Sequence, residues 1–153
     1  MKFICYREDL IHYDRLYMRR WVLRVPALGE IRLHHTLTPD GIQEHLHDHP
    51  WSFLTVLLWG SYTHLVQDAP PHGPIVTERR RWLSLRLLRA GAAHVITDVS
   101  PGGAWTLVIA APRSRSWGFW VYDSHVPRTR FFDSHPDAPH LRAEHVNYIG
   151  RYP

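Results

Sequence analysis

The stretch HLHDHPW, residues 45–51, sets histidines at three alternate positions, His45, His47 and His49. In an extended chain, alternate residues project from one face about 6.6–6.8 Å apart. Two imidazoles so placed can lean onto one divalent ion at about 2.0–2.1 Å from each nitrogen. On geometry alone, His47-x-His49 and His45-x-His47 are equivalent clamps. A third ligand must come from a distant strand facing the same cavity. His94 is the outstanding candidate, because it follows the Ala90-Gly91 turn and opens an apolar segment. The chain holds 13 histidines, and neutral imidazole is the commonest metal ligand. Most of them need another reading: His12, His72, His125, His135 and His140 lie in Pro- or Asp-rich surroundings that read as loop.

Other groups could complete such a site. Tyr62 and His64 alternate on one face just after Gly60 and are candidates for proton donor or, for His64, fourth ligand. Arg32 and His34 share a face of the preceding strand, and an arginine in the cavity would clamp a carboxylate in bidentate fashion. Asp48 points away from the ligand face, so it is expected to anchor a loop or an arginine. Asp98, four residues past His94, is a candidate to orient that imidazole through its second nitrogen.

These residues need strands to hold them. Turn signals recur every eight to fifteen residues, and between them the segments 31–37, 53–59, 61–67, 81–88, 94–99, 104–111 and 117–122 are rich in leucine, β-branched and aromatic residues. All seven are predicted strands. The 53–59 run FLTVLLW is apolar on both sides, as in the middle of a sandwich. In RWLSLRLL the leucines 83, 85 and 87 alternate with polar residues, which predicts a half-buried strand with leucines inward. The tryptophans are expected in the core. One helix is expected near the start, over residues 7–20, where Leu10, Tyr13, Leu16 and Tyr17 sit at helical spacing. The chain after about Arg128 is Pro- and His-rich and least readable. The pattern predicts an all-β jelly-roll sandwich or barrel with a short N-terminal helix.

Composition narrows the function classes. A chain of 153 residues is expected to form one domain, residues 1–153, that buries about 68–70% of its unfolded surface without disulfides. Cys5 is the single cysteine and has no partner spacing for a nucleophile role. There is no apolar run long enough to span a bilayer, and Arg7, Glu8 and Asp9 interrupt the region where a signal peptide needs an apolar core, so a cytoplasmic protein is expected. The net charge is +4, and the one basic run, Arg79-Arg80-Arg81, is short. Neither nucleic acid nor membrane is therefore an expected partner. No G-x-S-x-G, phosphate loop or G-x-G-x-x-G is present.

The spacing also resembles a known family. Gly41, five residues, His47-Asp48-His49 and then Gly60 resemble the first motif of the cupin superfamily, and Gly91, two residues, His94, three residues and Asp98 resemble the second, with Asp98 in the place of its asparagine. More narrowly, HDHPW followed by an apolar run and Gly-x-Tyr looks like a group of small bacterial and phage cupin-like proteins, a likeness that extends over residues 17–122. The glutamate of the first motif is absent, since Phe53 or Leu54 stands there. Thiol dioxygenases of the superfamily also lack it and hold iron(II) with three histidines. By similarity, His47, His49 and His94 look like such a facial triad, with room left for a bidentate anionic substrate and dioxygen. A metal held by three neutral ligands keeps its full +2 charge, which favours anions in an apolar cup. The resemblance thus implies an iron(II) dioxygenase acting on a small anionic molecule. Two alternatives stay open: a redox-silent isomerase, cyclase or lyase using zinc, nickel or manganese, and a non-enzymatic metal- or small-molecule-binding module. It also implies a homodimer.

Overall fold

Alternation along the chain decides most of the architecture. Pocket-facing and outward-facing residues take turns along β3 (Gly29–Thr36), β5 (Phe53–Trp59), β6 (Tyr62–Gln67), β9 (Ala93–Val99) and β10 (Ala104–Ala110), the period-two pattern of strands covered on one face. The computed structural model describes residues 3–12, 14–43, 45–134 and 142–152, with His12 and the last segment described by backbone alone. Tyr13, His135 and His140 lie outside the described residues. The remaining elements are β1 (Phe3–His12), β2 (Arg15–Val25), β4 (Leu46–His47), β7 (Val76–Arg80), β8 (Leu85–Leu88), β11 (Gly118–Val121), β12 (Ser124–Pro127), α1 (Arg128–Ser134) and β13 (Arg142–Tyr152). Two antiparallel sheets result, in strand orders β13-β1-β2-β3-β10-β5-β8 and β12-β11-β4-β9-β6-β7. Among the described residues they form an open jelly-roll sandwich and not a closed barrel. No helix among these residues is long and apolar enough to cross a membrane.

The sheets meet through mixed clusters. Phe53, Leu88, Val108 and Ala110 of the larger sheet pack on Val66 of the smaller, and Leu57 and Ala104 pack on Tyr62 and Ile96. Two glycines make the turns around this core. Gly60 has φ +79°, and a Cβ there would lie 2.3 Å from the Gly103 carbonyl oxygen. Gly91 has φ +95°, and a Cβ would meet Arg115 Nη1 at 2.7 Å. Both conformations suit a residue without a side chain.

Three expectations are corrected. The tryptophans are not in the core: none is fully buried, and Trp59 and Trp82 are 55% and 71% exposed, at the end of β5 and in the turn before β8. Residues 7–20 are not a helix: they form most of the β1–β2 hairpin, which turns at Asp14 (φ 58°). The helical spacing of Leu10, Leu16 and Tyr17 arises because a hairpin brings both arms to one face; Leu10 sits opposite Met18, and Leu10, Tyr17 and Met18 form a buried cluster. The helix that does form is α1. In the 81–88 segment the strand begins at Leu85, after Leu83 takes φ 56° in a turn. There Leu85 and Leu87 face outward, 64% and 54% exposed, while Leu88 is buried. The register with β5, which sets Leu87 opposite Leu54 and Leu85 opposite Val56, fixes that orientation.

Candidate metal centre

His47 and His94 meet because β4 is a two-residue strand paired directly with β9, His47 opposite His94. His49 lies two residues on and folds back over the same spot. The three rings have centroids 5.1, 4.7 and 5.0 Å apart. One nitrogen from each lies within 4.8 Å of the other two, the His49 and His94 Nε2 atoms being 2.8 Å apart. Two nitrogens bound at about 2.0–2.1 Å to one ion stand roughly 2.9–3.4 Å apart at angles between 90° and tetrahedral, so this donor set fits a divalent metal. Burial, and then the neighbouring His47, push the His49 and His94 pKa values well below 6.5. Both are therefore in the neutral form that a metal requires.

Behind the ligands lie groups that fix them. Asp48, fully buried between His47 and His49, accepts from the Gly118 N–H at 2.8 Å and holds Arg115 at 2.8 Å and His125 at 3.1 Å. It anchors an arginine, and that arginine is the one that crosses Gly91. His64 is 1% exposed and stands edge-on to His94 at 5.7 Å, with Nε2 donating to the Glu78 carboxylate at 3.2 Å. It is not among the residues lining the cavity. Asp98 is exposed on β9, past a bulge opposite Thr63 and His64, so it does not reach His94. His45 lies against Phe131 at 5.6 Å, apart from the cluster. Phe53, in place of an acid, stands edge-on to His49 at 4.8 Å.

The triad opens on a cavity of about 100 Å³ between the sheets; a single water takes roughly 10–15 Å³ on this measure. Its walls include Arg32, His34 and Tyr62. Arg32 is 7% exposed; its Nε donates to Glu30 at 2.7 Å, and its guanidinium lies 4.3 Å over the Trp51 ring. His34 has a buried Nε2 without a hydrogen-bond partner, and burial, reinforced by Arg20 and Arg32, pushes its pKa well below 6.5. Burial raises the Tyr62 pKa. The same wall holds a pair that sequence reasoning missed. Tyr17 donates to Asp40, whose other oxygen accepts from the Ile96 N–H at 2.6 Å. Burial, and then Asp40, raise the Tyr17 pKa. Asp40 read as a turn residue and Tyr17 as part of a helix, so the one available signal was the side chains' chemical character.

Comparison with known proteins locates the fold. The chain matches no protein-family model and no curated protein. Among solved structures it resembles FeII HppE (13% identity, TM-score 0.51, 67% of this chain and 56% of that one). It also resembles a tryptophan-to-tyrosine variant of oxalate decarboxylase from Bacillus subtilis (15%, 0.51, 67% and 29%). A third likeness is to Drosophila melanogaster CENP-C bound to CAL1 (10%, 0.51, 67% and 81%). The chain thus spans about half of the first and under a third of the second. At these identities the likeness is one of fold: the chain is a cupin-type jelly roll, with three imidazoles converging inside it.

Proposed function

We propose that this protein is a metal-dependent cupin enzyme that holds iron(II) through His47, His49 and His94 and oxidises a small anionic molecule with dioxygen. The convergence of three imidazoles, with no carboxylate in the cluster among the described residues, carries the reading. Iron(II) bound there would supply a +2 centre with open positions for substrate and dioxygen. The chain's own residues supply the rest. Phe53, Ile96 and Val108 make part of the wall apolar, which strengthens the attraction between a cationic centre and an anion. The free His34 Nε2 offers a hydrogen bond to a molecule in the cavity. The Tyr17 hydroxyl, already shared with Asp40, and the Tyr62 hydroxyl are wall groups that can hold a proton at neutral pH. A cavity of about 100 Å³ favours a molecule of a few heavy atoms. Arg32, engaged by Glu30 and Trp51, adds positive charge to that wall and is proposed to attract the anion; His64 is proposed to brace His94.

The test is metal analysis after anaerobic purification, followed by oxygen uptake against a panel of amino acids, thiols and diketones. Near-stoichiometric iron in the wild type, at least tenfold less in His47→Ala, and substrate-dependent uptake are expected. A wild type without bound first-row metal, or His47→Ala with an unchanged metal content, would refute the reading. A second reading, binding of a metal or small ligand without turnover, is favoured by one observation: the carboxylate on the cavity wall, Asp40, is already engaged by Tyr17 and Ile96. Zinc, nickel or manganese protein active without oxygen would instead select the redox-silent enzyme.

A further inference from the structure

Four of the ten buried side-chain N and O atoms that lack a hydrogen-bond partner among the described residues belong to one stretch, residues 80–86: Arg80 Nε and Nη2, Ser84 Oγ and Arg86 Nε. Arg80 ends β7 directly opposite Tyr62 of β6, and opposed residues of antiparallel strands share a face. Tyr62 faces the interior, so Arg80 does too, and it is 8% exposed. Its Nη1 makes an ion pair with Glu78 at 3.5 Å. Its Nε and Nη2, the two parallel donors along one edge of the guanidinium, have no partner. Elsewhere in the chain a carboxylate fills that edge: Glu30 at Arg32 and Asp9 at Arg7. The Tyr62 hydroxyl lies against Arg80; burial raises its pKa and the guanidinium opposes the rise. One hydroxyl does not fill an edge of two donors.

We propose that Arg80 holds a small planar oxyanion, a carboxylate or bicarbonate, in a second binding site at the β6, β7 and β8 end of the sandwich. Two parallel N–H groups match two oxygens of such an anion, the geometry that favours arginine over lysine. Glu78 bonds the other tip of the guanidinium, so it does not compete for this edge. Charge points the same way. Arg80 and Arg86 share the one carboxylate of Glu78, at 3.5 and 3.2 Å. The other partner of Arg86, Asp68, is 64% exposed, where water screens the pair. Buried donors left unmet are costly, and more so on a charged group. A water would meet the donors and leave the charge; an anion answers both. The turn closed by the Ser84 N–H on the Arg81 carbonyl at 2.9 Å brings Ser84, with its free Oγ, back to the end of β7. The site is separate from the metal centre. Arg80 does not line the histidine cavity, whereas Tyr62 beside it does. The Glu78 and Arg86 side chains are 26% and 21% exposed, and β7 is an edge strand, so an anion enters from that edge without passing the histidines.

Thermal unfolding of the chelator-treated full chain tests this without metal. Sodium formate and sodium bicarbonate are each titrated against sodium chloride at constant ionic strength and pH. At least one is expected to raise the melting temperature along a saturating curve, by about 3–6 °C at a tenfold excess over its dissociation constant. The arm that saturates at the lower concentration identifies the source. Arg80→Lys keeps the charge and loses the two-donor edge, and is expected to weaken binding by about tenfold or more. Arg80→Gln is expected to abolish the response. Far-UV circular dichroism verifies folding, and if one variant fails to fold, the other decides. Arg113→Gln, which removes an exposed arginine elsewhere, is expected to respond as the wild type does. So is His47→Ala, which separates this site from the metal centre. A wild type flat in both arms, as water alone at Arg80 would give, overturns the proposal. So does a response that survives both Arg80 substitutions, or one that disappears in His47→Ala.

Discussion

His47, His49 and His94 are held by different devices, and the differences can be measured. His47 is fixed by strand pairing on both sides, to β9 and to β11. His94 is backed by His64, which is itself tied to Glu78. Partners that orient a ligating imidazole typically contribute 10- to 100-fold to metal affinity. Glu78→Gln is therefore expected to weaken iron(II) or cobalt(II) binding by about that factor in chelator competition, without changing the stoichiometry. An unchanged affinity would show that His64 fills space and nothing more. His34 gives a pH prediction. Its pKa in the fold is well below 6.5, so above pH 6.5 it is neutral in both states and costs nothing. As pH falls below 6.5, the unfolded chain takes up a proton that the folded chain refuses, and stability falls by up to about 1.4 kcal/mol per pH unit. In metal-free protein, His34→Gln is expected to flatten denaturant midpoints between pH 6.5 and 5 by that amount; an unaltered slope would contradict it. The triad was legible in the sequence because two ligands are two residues apart and the third follows a turn glycine. The Tyr17–Asp40 pair was not, because its members lie 23 residues apart and no local pattern joins them.

At the scale of elements, the loops carry constraints that the strands do not. Gly60 closes the β5–β6 turn against Gly103. An alanine there meets backbone at 2.3 Å, which no side-chain movement relieves. Gly60→Ala is expected to cost more than about 2 kcal/mol and to lower the melting temperature by roughly 4–8 °C. At Gly91 the obstacle is the end of Arg115, which can move, so the alanine variant there should be milder; equal losses at both sites would argue against the backbone contact. Most strands were readable from alternation and turns. The β1–β2 hairpin was not, because Leu10, Leu16 and Tyr17 satisfy helical spacing and hairpin pairing alike. The leucines of β8 were assigned inward because alternation identifies two faces without saying which one is covered.

At the scale of the whole molecule, the two sheets enclose the histidine cavity between them. A metal that binds the folded chain alone ties stability to that site. The wild-type melting temperature is expected to rise measurably on adding cobalt(II), whereas that of His47→Ala stays constant. A wild type that does not respond would count against the site.

The alternation in β3 has a last consequence. Arg32 and His34 face inward and Ile31 and Leu33 outward, so hydrophobicity does not distinguish the two sides as it does in an ordinary half-buried strand. A slip of one residue would exchange the sides without exposing much more oil to water. What penalises the slip is polar: it would strip Arg32 of Glu30 and Trp51 and turn His34 out of the interior. Ion pairs and rings, rather than greasiness, proofread the alignment of this sheet.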